Sequence, residues 1–291
     1  MKAPPFEYVR AKALADVFQL WAEAGPEARL LAGGQSLIAT LALRLSEPST
    51  LIDITRVPEL RGIELSGDTL RLGALTTHAE LAADALVRQH APLLAEAAPL
   101  IAHPAIRNRG TLGGSLAFAD PAAELPACAV ALGATIVAVS AAGERRIPAR
   151  TFFQGLYATA LATNELIVAV EVPLAKAGER STILELARRS GDYAMAGIVA
   201  RARLDTGRLA DPQIAFFALG DGPVMARGAM AALADRVPDR AAIAAAAAAL
   251  AGDLDPPADL NGGSDMKRHL ACVLLARAIE RLARGKEARA A

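Results

Sequence analysis

Apolar and polar positions alternate along this chain with two distinct periods. Residues Leu14 to Ala24 follow helical spacing and predict an amphipathic helix. A short apolar run from Arg29 to Ala32 predicts a strand that enters a turn at Gly33-Gly34. A second helix is expected from Ser36 to Leu45, with Ser36 as its cap, and a buried strand at Thr50 to Ile54. Strand, glycine turn and helix is an order that presents unpaired backbone donors and the positive end of a helix dipole to an anion.

From Gly62 the period changes to two. Ile63-Glu64-Leu65 and Thr69-Leu70-Arg71-Leu72 alternate around Ser66-Gly67-Asp68, which predicts a hairpin. Thr77-His78-Ala79-Glu80 is a capping box that opens a helix. A helical stretch, Pro92 to Ala102, leads through His103 to Gly110 into a second glycine turn. A helix near Ala122 to Leu132 and strands at Thr135 to Val139 and Leu166 to Val172 follow. Pro173 to Arg180 reads as a linker. Beyond it, strands are expected at Ile183 to Arg189, Met195 to Leu204 and Gln213 to Leu219, with Asp205-Thr206-Gly207 turning between the last two. Three helical segments close the chain, ending in Asp265 to Arg284. Strands followed by helices describe an α+β domain.

The two glycine pairs, in Leu31-Ala32-Gly33-Gly34-Gln35-Ser36 and Thr111-Leu112-Gly113-Gly114-Ser115, each sit where a strand is expected to enter a turn. Without a Cβ, paired glycines reach positive φ, turn successive N–H groups toward one point and let an anion approach the main chain. One Gly-Gly among 23 glycines is an ordinary turn. Two matched turns, each followed by Ser, point to a dinucleotide. Neither has the spacing of a Rossmann fingerprint or the Gly-Lys-Ser/Thr ending of a P-loop, so NTPase and kinase chemistry has no support.

Composition narrows the partners. The 291 residues are ample for two domains, with 53% hydrophobic residues for a core. Lys plus Arg and Asp plus Glu both number 31, leaving no net field to hold a nucleic acid or a membrane surface. Pro4, Pro5 and Glu7 stand where a signal peptide carries its apolar core, and the longest apolar stretch, Ala241 to Ala251, is too short to span a bilayer. A cytoplasmic protein without membrane insertion is expected. Cys128 and Cys272 lie in apolar helical patterns with no second Cys or His at ligand spacing, which reads as two buried core residues rather than a zinc or iron–sulfur site.

The flanks of the glycine pairs resemble a known family. Ala32-Gly33-Gly34-Gln35-Ser36-Leu37-Ile38, with Arg44 and Leu51-Ile52-Asp53-Ile54, is similar to the first flavin loop of the FAD-binding medium subunit of molybdenum hydroxylases, the xanthine dehydrogenase family. His103 to Ser115 and Ala119-Asp120-Pro121-Ala122-Ala123-Glu124-Leu125-Pro126 resemble its second. Arg188-Arg189-Ser190-Gly191-Asp192-Tyr193-Ala194 and Lys267-Arg268-His269-Leu270-Ala271 are similar to the C-terminal flavoprotein domain of the carbon monoxide dehydrogenase type.

The resemblance implies an α+β chain. A two-subdomain α/β FAD-binding domain of PCMH type spans residues 1–175, with subdomains of about 1–60 and 61–175. A C-terminal domain at 179–286 carries a small antiparallel sheet and a helical bundle. It implies noncovalent FAD contacted by Leu31, Ala32, Gly33, Gly34, Gln35, Ser36, Leu37, Ala102, Ile106, Gly110, Thr111, Gly114 and Ser115. Asp120 would accept from flavin-side or ribityl hydroxyls, with a helix N-cap before Pro121 as its plainer role. Tyr193 and Leu166 would lie beside the ring system, with core packing as the alternative for each.

The implied assembly is a heterohexamer, a dimer of heterotrimers. In it a small subunit carries two [2Fe–2S] clusters, a large subunit carries the molybdenum cofactor, and this chain is the electron-transfer flavoprotein. The cysteine count agrees with clusters housed elsewhere.

Ala39-Thr40 and Phe118 depart from the Pro-Met and His common in relatives, without removing a backbone donor. Gln35 stands where some flavoproteins attach FAD through His, so covalent attachment by this loop is not expected. His103, Arg107 and Arg109 read as structural or partner-facing, and His78, His90 and His269 have no partner at catalytic spacing. A stand-alone flavin oxidoreductase would need its own acid–base constellation, which is not evident. A flavin-free scaffold would have no use for intact glycine turns.

Overall fold

The computed structural model of the protein describes residues 2–284. Its first unit is a three-stranded parallel sheet in the order β1-β3-β2, built from β1 (Glu7–Arg10), β2 (Arg29–Leu31) and β3 (Thr50–Asp53). Helix α1 (Leu14–Ala24) joins β1 to β2 and buries Val17 against the sheet, as its apolar spacing requires. Helix α2 (Leu37–Ala42) follows β2. It is shorter than the expected 36–45, because Arg44 turns left-handed at φ 56 and ends it. Strand β1 has no apolar pattern to announce it. Its pairing with β3 makes it a strand, and Tyr8 and Arg10 both bond Asp53 on β3.

The second unit is an antiparallel sheet in the order β4-β5-β10-β6-β7. The predicted hairpin is β4 (Ile63–Ser66) and β5 (Thr69–Gly73). Helix α3 (His78–Ala83) starts at the expected capping box, with the Thr77 hydroxyl accepting from the Glu80 amide. Helix α4 (Ala85–His90) and α5 (Pro92–Ala97) follow. The single helix expected to Ala102 breaks after Ala97 into a 3-10 turn, Ala98–Leu100, because Pro99 has no N–H to continue the ladder. Then come α6 (Pro104–Arg107), α7 (Leu112–Phe118) and α8 (Glu124–Leu132).

Strands β6 (Thr135–Ser140), β7 (Gly143–Pro148) and β10 (Leu166–Pro173) complete the sheet. Between them lie the short helix α9 (Ala149–Phe152) and a separate hairpin of β8 (Phe153–Gly155) and β9 (Ala158–Thr159). Strand β7 is an exposed, arginine-rich edge whose Arg146 reaches Glu171 on β10, so no apolar alternation marks it in the sequence.

The C-terminal unit is a four-stranded antiparallel sheet of β11 (Glu179–Leu186), β12 (Ala196–Asp205), β13 (Arg208–Phe217) and β14 (Val224–Met225). Strand β11 lies several residues earlier than expected, and Arg188 and Arg189 fall in the loop that follows it. The linker is correspondingly short, and its Leu174 and Ala175 amides are pinned to Asp68 and His90 carbonyls. The sheet has two buried faces. Ile198, Ala200, Ile214 and Phe216 face α10 (Arg227–Leu233), α11 (Arg240–Asp253) and α12 (Ser264–Arg284). Val199, Ala215 and Phe217 join the core around α8. Helix α8 is thus apolar on nearly every side because it is buried between two sheets, and the core runs continuously from the second unit into the third.

Cys128 is buried in α8 and Cys272 half-buried in α12, both free. Among the described residues no helix is long and apolar enough to cross a membrane. Residues 285 and 286, the end of the expected C-terminal domain, lie outside the described residues.

Candidate functional site

The first glycine loop leaves the carboxyl end of β2, the edge at which open α/β sheets present ligand-binding turns. Gly34 takes φ 73, and Gly33 does not. Gly33 is required for a different reason: a Cβ on it would stand 2.0 Å from the Arg109 carbonyl oxygen and 2.9 Å from Gly110 Cα. The first loop therefore lies directly on the second. Among the described residues, the N–H groups of Gly33, Gly34, Gln35 and Ser36 find no protein acceptor. Ser36 occupies the N-cap position of α2, but its backbone is already helical and its hydroxyl makes no capping bond. The expected Ser36 cap is absent, and α2 is only six residues long, so the loop's donors rather than a helix dipole carry the site.

The second glycine pair differs from its expected form. No strand enters it, and Gly113 and Gly114 form the first turn of α7 with ordinary negative φ. Their amides are occupied, Gly113 donating to Ala74 and Gly114 to the Thr111 hydroxyl. A Cβ on Gly113 would meet Ala74 Cβ at 2.6 Å, so this glycine allows α7 to lie against the segment after β5. What the loop leaves free is the Ser115 side chain. Behind it, His78 packs on Gly110 with Nε2 3.3 Å from the Thr111 carbonyl, and burial holds its imidazole down at about 4, hence neutral. Arg107 donates to the carbonyls of Ile101 and Ala102, a structural bracket that sets the positive φ of Ala102.

A third segment reaches the same place from the C-terminal sheet. Gly191, at φ 85, sits so close to the second loop that a Cβ would lie 2.8 Å from the His103 ring and 3.0 Å from the Ala102 carbonyl. Two residues on, the Tyr193 phenol interacts with the Asp120 carboxylate. Burial raises the Asp120 pKa, while the Ala122 amide and Tyr193 oppose the rise. Tyr193 is itself pushed up to about 12 by burial and by the charge of Asp120. Asp120 does not cap α8. Its Oδ1 accepts from the Ala122 amide at 2.9 Å, and Ala123 holds the cap position.

Deeper in this junction are two carboxyl groups that the sequence reading did not single out. Glu124, the first residue of α8, is raised to about 8 by burial and by Glu185 and Asp120, and Glu185 on β11 is raised to about 7 by burial. Glu185 Oε2 is buried without a hydrogen-bond partner. Tyr157, on the β8–β9 hairpin, also reaches the junction and packs against Phe118. Nothing periodic in the sequence marks either carboxyl group, because Glu124 on α8 and Glu185 on β11 come near each other only in the folded chain.

Of the residues expected at a site, Ala32 to Ser36 and Ala102 to Ser115 meet through Gly33 and Gly110, and Asp120 and Tyr193 join them through the Gly191 contact. Leu31 ends β2, Leu37 begins α2, and Ile106 lies half-buried on α6 beneath the Gly110 turn, its carbonyl accepting from the Gly110 amide. Leu166 is 6% exposed, in the core cluster with Val137 and Val168 against which Ala32 of the first loop packs. Unpaired amides, a free Ser hydroxyl, a carboxylate and an aromatic ring at a glycine-lined junction fit a dinucleotide carrying diphosphate, polyol and planar ring. Among the described residues no group of three or more His, Cys, Asp or Glu could hold a metal.

Residues 4–175 match the family described as the FAD binding domain in molybdopterin dehydrogenase, and residues 181–282 match the CO dehydrogenase flavoprotein C-terminal domain. The chain is 40% identical over 280 residues to the 6-hydroxypseudooxynicotine dehydrogenase complex subunit alpha of Paenarthrobacter nicotinovorans, covering 96% of this chain and 95% of the relative. It is 37% identical over 279 residues to the carbon monoxide dehydrogenase medium chain of Hydrogenophaga pseudoflava, covering 96% and 97%. Its structure superposes with a TM-score of 0.94 and 39% identity on a chain of the carbon monoxide dehydrogenase from Hydrogenophaga pseudoflava that lacks the Mo-pyranopterin moiety of the molybdenum cofactor, covering 96% of this chain and 98% of that one.

Proposed function

The chain belongs to the family of FAD-binding medium subunits of molybdenum hydroxylases, of the carbon monoxide dehydrogenase type, and from that membership we propose a specific role for it. It is the electron-transfer flavoprotein of a heteromeric molybdenum-containing hydroxylase, taking electrons from the [2Fe–2S] clusters of a small partner and delivering them to an external acceptor. The large partner holds the molybdenum cofactor and the substrate. The observation that carries this reading is the junction of three segments at Gly33, Gly110 and Gly191, beside which the first loop offers unpaired backbone donors for a diphosphate.

Bound FAD supplies the exchange between one-electron carriers and a two-electron acceptor. The chain's part is to hold and shield it. The free amides of Gly33, Gly34, Gln35 and Ser36 would bind the diphosphate, lined by Leu31, Ala32 and Leu37. The Ser115 hydroxyl and the Asp120 carboxylate would take polyol hydroxyls, with Thr111 and Gly114 fixing the turn that presents Ser115. Ala102, Ile106 and Gly110 would form the wall shared with the first loop. Tyr193 would cover one ring face, with Leu166 beneath in the core. No covalent attachment is made through the first loop, where Gln35 stands and no His or Cys is present.

We assign residues 1–175 to the FAD-binding domain, divided at about residue 60, and 179–286 to the C-terminal domain. The assembly is a dimer of heterotrimers in the cytoplasm. Flavin and metal analysis of the natively purified complex tests the reading. About one extractable FAD per copy of this chain, with iron and molybdenum in co-purifying subunits, is expected. A colourless protein after reconstitution with FAD, or a fully active flavoenzyme of this chain alone, refutes it.

A further inference from the structure

The β8–β9 hairpin has no part in the role just described, yet its tip enters the same junction. Its strands pair across Leu156 and Tyr157, and Tyr157 is held at φ 54. That left-handed conformation costs a residue with a Cβ about 1 kcal/mol. The Tyr157 ring lies against Phe118, centroids 5.2 Å apart at 59°. Phe118 ends α7 two residues before Asp120. Burial and the Asp120 charge both raise the Tyr157 phenol, and Tyr157 in turn acts on Tyr193. Two phenols from distant segments thus feel one carboxylate, Tyr193 through a hydrogen bond and Tyr157 through its charge. Both rings nonetheless stay open to solvent, Tyr157 at 54% and Tyr193 at 65%.

Core burial does not account for this ring, because more than half of it is exposed. A strained aromatic tip persists where its neighbours over-determine it, and such positions cluster at ligand clamps. Here the contact is the Phe118 ring, and Asp120 and Tyr193 lie near enough to act on the phenol through charge.

We propose that Tyr157 is a second wall of the cofactor cleft, bracketing its mouth with Tyr193 above Asp120 and restricting which external oxidants reach a ring system bound there. The inference rests on the junction being the FAD site. Its natural probe is dioxygen, which takes an electron pair and two protons from reduced flavin to leave oxidised flavin and hydrogen peroxide. A wall at the mouth slows that approach. It leaves electron entry from the cluster side unaffected.

The test uses the purified complex, reduced anaerobically and mixed with air-saturated buffer while flavin absorbance is followed. Tyr157→Gly removes the ring and suits the left-handed backbone, so it is expected to fold and keep its flavin. Its reoxidation rate constant is expected to rise about tenfold, as for loss of a closing element over a site. Tyr157→Phe keeps the wall and is expected within about twofold of the parent. Iodide quenching of flavin fluorescence should rise in the Gly variant only. A Gly variant with full flavin content, unchanged reoxidation and unchanged quenching overturns the inference. So does a Phe variant that matches the Gly variant, since the hydroxyl rather than the ring would then be the active element. If Tyr157→Gly purifies without flavin, Tyr157→Leu goes through both measurements and the same outcomes decide. A parent complex without flavin refutes the FAD reading itself, and flavin content tells the two failures apart.

Discussion

Replacing Gly33 by Ala is the most direct probe of the junction. The added Cβ would stand 2.0 Å from the Arg109 carbonyl oxygen and 2.7 Å from its carbon, and backbone atoms cannot rotate aside as a side chain can. Reaching ordinary contact at 3.4 Å requires the two loops to part by about 1.4 Å at this point. Overpacking of this kind costs about 1–3 kcal/mol. Most of the cost falls on the arrangement that holds the free amides of Gly33 to Ser36 against the Arg109–Gly110 turn, so FAD should bind about tenfold to a hundredfold more weakly. The assay is flavin content after gel filtration, followed by titration of the apoprotein with FAD by fluorescence quenching. Gly133→Ala is the control: Gly133, unlike Gly33, is left-handed, at φ 66, and a Cβ there meets nothing within 4 Å. It should lose about 1 kcal/mol of stability and no flavin affinity. A Gly33→Ala protein with parental flavin content and affinity would refute the loop-contact argument.

Two further expectations concern buried carboxyl groups. Glu124 is raised to about 8, so the native state keeps a proton that the unfolded chain releases above about 4.5, and stability falls as pH rises from there to about 8. Glu124→Gln keeps the neutral shape, and its melting temperature should gain on the parent steadily from pH 5 to pH 8, whereas parallel curves would contradict the buried-proton account. Asp53 behaves oppositely. Burial would raise it, but bonds from Thr55, Tyr8 and Arg10 outweigh this and hold it at about 2 against an ordinary 3.8. Its contribution, about 2 kcal/mol, is present above pH 4 and lost as pH falls through 2. Asp53→Asn should therefore lower stability at neutral pH and converge with the parent near pH 2 in denaturant titrations.

Much of the framework was legible in the chain because it is written in local intervals. Helix α1, the Thr77 capping box and the β4–β5 hairpin follow from periods of 3.6 and 2 and from one hydroxyl reaching one amide. The motifs around Gly33 and Gly113 also carried the family resemblance. The elements that escaped lack such a signal: β1 and β7 are exposed edges, strands only because a partner pairs with them, and Pro99 divides a helix that apolar spacing alone would continue.

The two glycine pairs mark the division most clearly. In the sequence they are equivalent turns, each able to present its amides to an anion. In the fold only the first keeps them free. The second uses its amides on Ala74 and Thr111, and its missing Cβ admits Ala74 rather than a ligand. Which donors stay unpaired depends on where segments distant in the chain come to rest, as do the approach of Gly191 to His103 and of Tyr157 to Phe118. Local periodicity determined the elements. Their packing decided which polar groups were left for a ligand, because a hydrogen bond or a steric gap between remote segments exists only once both have been placed.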